Sequence, residues 1–191
     1  MPKLLELPKN LQKGLFTTQE ALKKDLSKKG LTYLLENNII TRLARGFYCH
    51  AGYDFSEEDQ AVLATLIIGK PSAICLLSAL SYHQLTDIIP KKTWVMVPAE
   101  KRTQHAKLRL FRSTNPQWNI GIQKEKGYWV TDIERTLVDC LVQKRRLGTQ
   151  TAVEALRQAI SDKKSTLDKV LKMATRLKVE HRIIAYIEAL A

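Results

Sequence analysis

The fold of the amino-terminal part is decided by residues 17–48, which read TTQEALKKDLSKKGLTYLLENNIITRLARGFY. Thr17 and the acidic Glu20 that follows it predict the capped start of a short helix. Ser27 predicts the cap of another helix, after which residues 39–48 predict two short strands joined by an Arg-Gly turn. This stretch therefore combines two helices and a hairpin.

A leucine stripe upstream predicts one more helix. Its members, spaced by three and four residues, are Leu4, Leu7, Leu11 and Leu15. Pro8 is expected to delay or bend that helix. In the helix that follows Thr17, Ala21 and Leu22 are expected to supply the apolar face. Three helices followed by a hairpin within about 50 residues indicate a winged helix-turn-helix, in which the last helix enters the major groove of DNA. Residues 1–52 are predicted to form this domain.

The helix after Ser27 has two faces of different character. Leu31, Leu34 and Leu35 fall on the face that is expected to pack into a core. The opposite face carries Lys28, Lys29, Thr32 and Tyr33. The lysines are expected to reach phosphates, and the threonine and tyrosine to reach base edges or thymine methyl groups. For Tyr33, packing of the side chain over the core is an equally open interpretation.

The hairpin adds two cations. Arg42 and Arg45 are expected to flank a minor groove or its phosphates. The complete predicted set of DNA-binding residues is Thr17, Thr18, Lys28, Lys29, Thr32, Tyr33, Arg42, Arg45 and Gly46.

Residues 53–191 predict a helix-rich domain with a small sheet. An acidic cluster opens an apolar helix near residue 57, and a further helix is expected over residues 74–84. Strands are expected at residues 93–97, 108–112 and 128–130, which suggests a sheet of three or four strands. A helix capped by Asp132 and three more helices complete the pattern. The fold class is α+β.

The positive charge is concentrated at the two ends of the chain. The chain has 191 residues and a formal net charge of +12, of which residues 1–52 hold +5, residues 53–141 hold +1 and residues 142–191 hold +6. A localised basic excess is typical of a surface that faces phosphates, although lysine-rich helix faces also serve solubility. The candidate second basic surface is Lys144, Arg145, Arg146, Lys172 and Arg176.

Several classes of protein are disfavoured by composition. No apolar run is long enough to span a membrane and no signal-peptide core is present at the start, so a cytoplasmic protein is expected. Cys49, Cys75 and Cys140 are widely spaced, which predicts buried reduced thiols rather than disulfides or a zinc site. The histidines lack ligand spacing, and His83 is expected to lie at a helix end. We expect neither a cofactor nor a metal ion.

The sequence resembles the AbiEi-type abortive-infection antitoxins. Four groups of residues carry the resemblance: 16–22 (FTTQEAL), 38–48 (NIITRLARGFY) together with Leu34, 78–86 (SALSYHQLT) with Pro90, and the pair 93–98 (TWVMVP) and 133–139 (IERTLVD). The resemblance covers the chain from about Gly14 to its end.

This resemblance implies a transcriptional repressor and antitoxin of a toxin-antitoxin operon that serves abortive infection and phage defence. Such a protein binds repeats in its own promoter and counteracts a nucleotidyltransferase-like toxin without a stable complex. Because repeated operator sites are usually met by paired or successive protomers, we expect a dimer or cooperative binding to double-stranded DNA.

Two alternatives stay open. Asp132 and Glu134, with Lys124 and Lys126 nearby in sequence, could gather around a divalent metal as in a nuclease. A structural interpretation explains the same acids better, with Asp132 as a helix cap and Glu134 as the ion-pair partner of Arg135. The carboxyl-terminal basic residues could instead receive an acidic protein partner, which would make the chain an interaction module. We favour a regulator that is not an enzyme.

Overall fold

The computed structural model describes residues 6–190 and has a mixed α+β architecture. The chain divides into two compact units, the first ending at Leu63 and the second beginning at Ala64. The division falls within one helix, Glu57–Ile68, whereas the sequence pattern changes near Gly52. The assignment of separate roles to residues 1–52 and 53–191 stays a prediction.

The first unit contains short helices and a three-stranded sheet. Its elements are a 3₁₀ helix at Lys9–Leu11, β1 (Phe16–Thr17), α1 (Thr18–Leu22), α2 (Lys28–Glu36), β2 (Ile40–Ala44) and β3 (Phe47–His50), followed by the start of α3 (Glu57–Ile68). The sheet is antiparallel with the strand order β1-β3-β2. The predicted hairpin is β2 and β3, and β1 is an additional strand.

The leucine stripe near the start does not form the predicted helix within the described residues. Pro8 precedes a single 3₁₀ turn that ends at Leu11, and the chain then bends. The fixed φ of proline and its missing N–H account for the shortened helix. Leu7 and Leu11 are nevertheless buried, so the stripe still contributes apolar side chains to a core. Leu4 lies outside the described residues.

A small apolar core holds the first unit together. Its buried members are Leu7, Leu11, Phe16, Ala21, Leu26, Leu31, Leu34, Ile40 and Tyr48. The rings of Phe16 and Tyr48 stack with their centroids 5.7 Å apart, which joins β1 to β3. The prediction that Leu22 lies on the apolar face of α1 is wrong, because its side chain is 43% exposed and Ala21 alone carries that face.

The second unit is built on a five-stranded sheet covered by helices. Its elements are β4 (Ala73–Ile74), α4 (Leu76–Tyr82), β5 (Thr93–Pro98), β6 (Leu108–Ser113), β7 (Ile122–Lys124), β8 (Trp129–Thr131), α5 (Ile133–Val142), α6 (Lys144–Leu147), α7 (Thr149–Ser161), α8 (Leu167–Arg176), a 3₁₀ helix at Glu180–Arg182 and α9 (Ile184–Glu188). The strand order is β6-β5-β4-β8-β7. Strands β5 and β6 and strands β4 and β8 pair in parallel, and the other pairs are antiparallel.

Two predictions for this unit need correction. The helix expected over residues 74–84 is shorter, because Ala73 and Ile74 extend to pair with β5 on one side and β8 on the other. The sheet has five strands rather than three or four, since β4 and β7 were missed. Strand β4 has only two residues, which is too few to show a pattern of alternation.

The core of the second unit contains one buried ion pair among the described residues. Arg135 is 1% exposed, and its Nε donates to Asp139 Oδ2 at 2.8 Å, one turn later on α5. Another nitrogen of the guanidinium donates to the carbonyl oxygens of Trp118 and Ile120. The expected pairing of Glu134 with Arg135 is therefore wrong, and Arg135 instead ties α5 to the chain between β6 and β7.

Candidate nucleic-acid interface

The start of α2 is fixed by its cap. Ser27 has an extended backbone, and its Oγ accepts a hydrogen bond from the N–H of Gly30 at 3.1 Å. Gly30 and Leu31 lie against the core, so the adjoining Lys28 and Lys29 face away from it. The cap thus sets both where the helix begins and which side it exposes.

The outward face of α2 carries the residues that sequence analysis selected for DNA contact. Lys28, Lys29, Thr32 and Tyr33 are all exposed. Tyr33 is 38% exposed and is not part of the core cluster, which favours the contact interpretation over the roof of the core. Thr32 Oγ1 donates to the carbonyl oxygen of Lys28 at 3.2 Å. That hydroxyl oxygen still has acceptor capacity for a ligand.

The end of α2 directs the chain into the hairpin. Asn38 adopts a φ of +55°, and the N–H of Ile39 donates to the carbonyl oxygen of Leu34 at 2.9 Å. A left-handed residue after the last turn is a common way to end a helix, and asparagine tolerates it. The side chain of Asn37 also donates to the Tyr33 carbonyl oxygen at 2.8 Å.

The hairpin presents Arg42 from strand β2 and Arg45 from its turn. Both side chains are exposed. Gly46 completes the turn with a φ of +82°, in the region that favours glycine. The pairing of β2 with β3 shifts register between Arg42 and Ala44, so Leu43 is an extra residue that bends β2.

The hairpin and α1 are connected through the backbone. The N–H of Thr18 donates to the carbonyl oxygen of Gly46 at 3.0 Å. Thr17 and Glu20 form a capping box: Thr17 Oγ1 accepts from the Glu20 N–H at 3.2 Å, and a Glu20 carboxylate oxygen accepts from the Thr17 N–H at 2.7 Å. Thr17 and Thr18 are both half-buried, and their contact with DNA stays a prediction.

We call Lys28, Lys29, Arg42 and Arg45 the four interface cations. Within residues 6–190, none of them forms an ion pair with an acidic side chain. Exposed unpaired cations on adjacent elements raise the local positive potential and are available to an anionic ligand. Cys49 on β3 is buried and free, and burial raises the pKa of its thiol.

The candidate second basic surface lies in the second unit. Lys144, Arg145 and Arg146 are on α6, and Lys172 and Arg176 are on α8. Two of these lysines already have partners. Lys144 Nζ lies 4.5 Å from the ring centre of Tyr186, and Lys172 Nζ lies 2.6 Å from Asp168 Oδ2. Contact of this surface with DNA or with an acidic protein stays a prediction.

The residues behind the nuclease alternative have structural partners. Asp132 Oδ1 accepts the N–H of Arg135 at 2.7 Å and so caps α5, and burial raises the pKa of its carboxyl group. Glu134 Oε1 accepts a hydrogen bond from Ser165 Oγ at 2.8 Å. Among the described residues, no group of three or more His, Cys, Asp or Glu side chains is arranged to hold a metal ion.

His83 and Cys140 lie where their sequence context predicts. His83 follows the last residue of α4, and its Nε2 lies 2.7 Å from the Thr131 carbonyl oxygen. Cys140 is fully buried on α5, and burial raises the pKa of its thiol well above the ordinary value.

In the part of the chain that the structure covers, no helix has both the length and the apolar content needed to cross a bilayer.

Sequence reasoning missed residues that act through partners distant along the chain. In the first unit, strand β1 and the hydrogen bond from the Thr18 N–H to the hairpin turn were not predicted. In the second unit, the position of Arg112 and Arg182 around one cavity was not predicted. The Thr-x-x-Glu spacing at residues 17–20 would have revealed the capping box. No local signal could have revealed the cavity.

Comparison with known proteins identifies a family match in the first unit. Residues 7–50 match the family described as "Transcriptional regulator, AbiEi antitoxin". A search among curated proteins finds no match for the chain. The resemblance to AbiEi-type antitoxins is therefore confirmed by residues 7–50, which include α1, α2 and the whole β2-β3 hairpin. For the later motifs, at residues 78–86, 93–98 and 133–139, the resemblance stays a prediction.

Proposed function

Because residues 7–50 match the AbiEi antitoxin family of transcriptional regulators, we propose that the chain represses its own operon by binding promoter DNA. The first unit would act as a winged helix-turn-helix, with α2 as recognition helix and the β2-β3 hairpin as wing. The observation that carries the proposal is that all four interface cations are exposed and, among the described residues, unpaired within this matched segment.

In the proposed complex, α2 enters the major groove with its amino-terminal end toward the DNA backbone. Lys28 and Lys29 contact phosphates there, helped by the partial positive charge of the helix start. Thr32 and Tyr33, one turn further on, contact base edges or thymine methyl groups. The phosphate contacts supply affinity, and the base contacts supply sequence preference.

The wing is proposed to contact the neighbouring backbone or minor groove. Arg42 and Arg45 project from it, and the turn at Gly46 brings the backbone close to the surface. Because the Thr18 N–H holds the Gly46 carbonyl oxygen, the wing and α1 would approach DNA as one body. Thr17 and Thr18 would then lie beside the contact rather than at its centre.

The antitoxin role extends this proposal. The family is named for antitoxins, so we propose that the protein opposes a toxin encoded in its operon, a nucleotidyltransferase-like enzyme in such systems, without forming a stable complex with it. Binding to promoter repeats would involve dimers or successive protomers. The second unit would then contribute to antitoxicity, to the pairing of protomers, or to both.

The decisive experiment is a binding titration with the DNA immediately upstream of the gene. Fluorescence anisotropy is measured for this duplex and for a scrambled duplex of the same composition, using the wild type and two double variants, K28A/K29A and R42A/R45A. We expect tight binding with preference for the upstream duplex, and weaker binding by both variants.

A matched control separates specific contacts from general charge loss. K23A/K24A also removes two exposed lysines from the first unit, but these lie outside α2 and the hairpin. Its affinity should remain close to that of the wild type. Equal weak binding of both duplexes, unaffected by K28A/K29A and R42A/R45A, would contradict the proposal.

A further inference from the structure

The second unit contains a cavity of about 250 Å³ whose lining includes four arginines. It lies between the end of β6, the helices α5 and α6, and the segment after α8. Arg112, Arg146 and Arg182 are exposed side chains at this cavity. We call it the arginine cavity. Its lining comes entirely from the second unit and includes none of the four interface cations.

Two of these arginines are held in place while keeping free donors. Arg112 Nε donates to the carbonyl oxygen of Lys101 at 3.0 Å, and an Arg182 terminal nitrogen donates to the carbonyl oxygen of Val142 at 3.2 Å. A guanidinium has five N–H donors, so each retains several for a ligand. Within the described residues, neither these two arginines nor Arg146 forms an ion pair.

The acidic residue in the lining does not cancel the positive charge of these arginines. Asp139 is the one acidic residue among the described residues that line it, and its carboxylate is bound by the buried guanidinium of Arg135 at 2.8 Å. The charge of this carboxylate is therefore compensated by Arg135 within the core. The cavity therefore retains a clear excess of positive charge from its three other arginines.

The lining of the cavity also includes apolar residues, namely Phe111, Val142, Leu177 and Val179. A site lined by both charged and apolar side chains suits a small molecule with an anionic group and a less polar body. A planar guanidinium group can donate two parallel hydrogen bonds to the oxygens of a phosphoryl group. Several guanidinium groups together can bind more of these oxygens and balance their negative charge.

We propose that the arginine cavity binds the phosphoryl group of a small phosphorylated molecule, whose body would contact the apolar residues of the lining. The cavity volume of about 250 Å³ is slightly below the roughly 300–1,000 Å³ that is usual for small-molecule sites, which favours a small ligand. The site goes beyond the DNA contact proposed for the first unit and does not depend on it. It offers the second unit a means to sense a metabolite.

The test uses the full chain in a low-salt chloride buffer, titrated by isothermal calorimetry with inorganic phosphate, with AMP and with a short scrambled DNA duplex. The variant is Arg146→Ala, which removes an exposed side chain and should not disturb folding. The matched control is Arg145→Ala, an equally exposed arginine on the same helix that does not line the cavity. Thermal melts of both variants check that folding is unchanged.

We expect phosphate to bind and AMP to bind at least as tightly. Arg146→Ala should weaken both by about tenfold or more, whereas Arg145→Ala should match the wild type. Three results would overturn the proposal: no binding of phosphate or AMP, equal weakening by both variants, or AMP binding weaker than phosphate, because the apolar lining residues would then contribute nothing.

Discussion

The backbone N–H of Thr18 donates a hydrogen bond to the carbonyl oxygen of Gly46, with 3.0 Å between nitrogen and oxygen. This bond joins the first residue of α1 to the turn of the hairpin. It lies beside the pairing of Thr17 with Phe47, which places β1 against β3. The position of the hairpin relative to the helices of the first unit therefore depends on the conformation of its turn.

Gly46→Ala should destabilise the first unit by about 1 kcal/mol. The φ of +82° is costly for alanine, although a Cβ there would meet Thr18 Oγ1 at an ordinary 3.6 Å. The cost thus comes from the backbone and not from a clash. Urea unfolding followed by far-UV circular dichroism measures it. Gly14→Ala is the control, since a Cβ at Gly14 would have open space within 4 Å beyond its chain neighbours. Equal midpoints for both variants would contradict the argument.

Ser27→Ala and Ser27→Asp should separate stability from DNA binding. Ser27→Ala removes the acceptor for the Gly30 N–H and should cost about 1 kcal/mol in the free energy of unfolding. Ser27→Asp keeps a cap and should unfold like the wild type. Its added negative charge beside Lys28 and Lys29 should nevertheless weaken binding to the upstream duplex. Full DNA affinity in the aspartate variant would argue against phosphate contacts at the start of α2.

Much of the first unit can be predicted from sequence, because its signals are local. Caps and the leucine period define the bounds and the exposed face of α2, and the Arg-Gly turn defines the hairpin. The exposed positions of Lys28, Lys29, Arg42 and Arg45 follow from these signals alone. The role of these four residues in DNA binding stays a prediction, which the binding titration tests.

What could not be predicted depends on contacts between distant residues. Strand β4 has two residues and is extended only because β5 and β8 lie on either side of it. The same holds for β1, which pairs with β3 about 30 residues later. The arginine cavity combines Arg112, Arg146 and Arg182 from three separate segments, so no local pattern reveals it.

Arg135→Met should destabilise the second unit by about 3–5 kcal/mol, because it leaves the Asp139 carboxylate buried without its partner. Tryptophan fluorescence during urea unfolding reports on this unit, since the three tryptophans of the chain, Trp94, Trp118 and Trp129, all lie within it. Lys172→Met is the matched control. It breaks another pair with the same i, i+4 spacing, Lys172 with Asp168, which is largely exposed. That variant should unfold close to the wild type.

His83 should make the stability of the second unit depend on pH. Burial lowers the pKa of its imidazole below the ordinary 6.5, outweighing the opposing effect of the hydrogen bond to Thr131. The unfolded chain then binds the proton more readily than the folded one, so stability is retained above pH 6.5 and is lost as the pH falls toward the folded-state pKa. His83→Gln removes this titration. The difference in unfolding free energy between wild type and variant should change steadily below the ordinary histidine pKa, and parallel curves would contradict the assignment.

The salt dependence of DNA binding tests how the four interface cations act. Each phosphate contact contributes about 0.9 to the slope of log affinity against log salt concentration. If Lys28 and Lys29 each neutralise one phosphate, K28A/K29A should reduce the magnitude of that slope by about 2, with a similar loss for the upstream and the scrambled duplex. Thr32→Ala should instead leave the slope unchanged and lower only the preference for the upstream duplex, because a base contact releases no counterions. A K28A/K29A slope equal to that of the wild type would remove these lysines from the phosphate contacts and transfer that role to the wing, where R42A/R45A would then carry the full change.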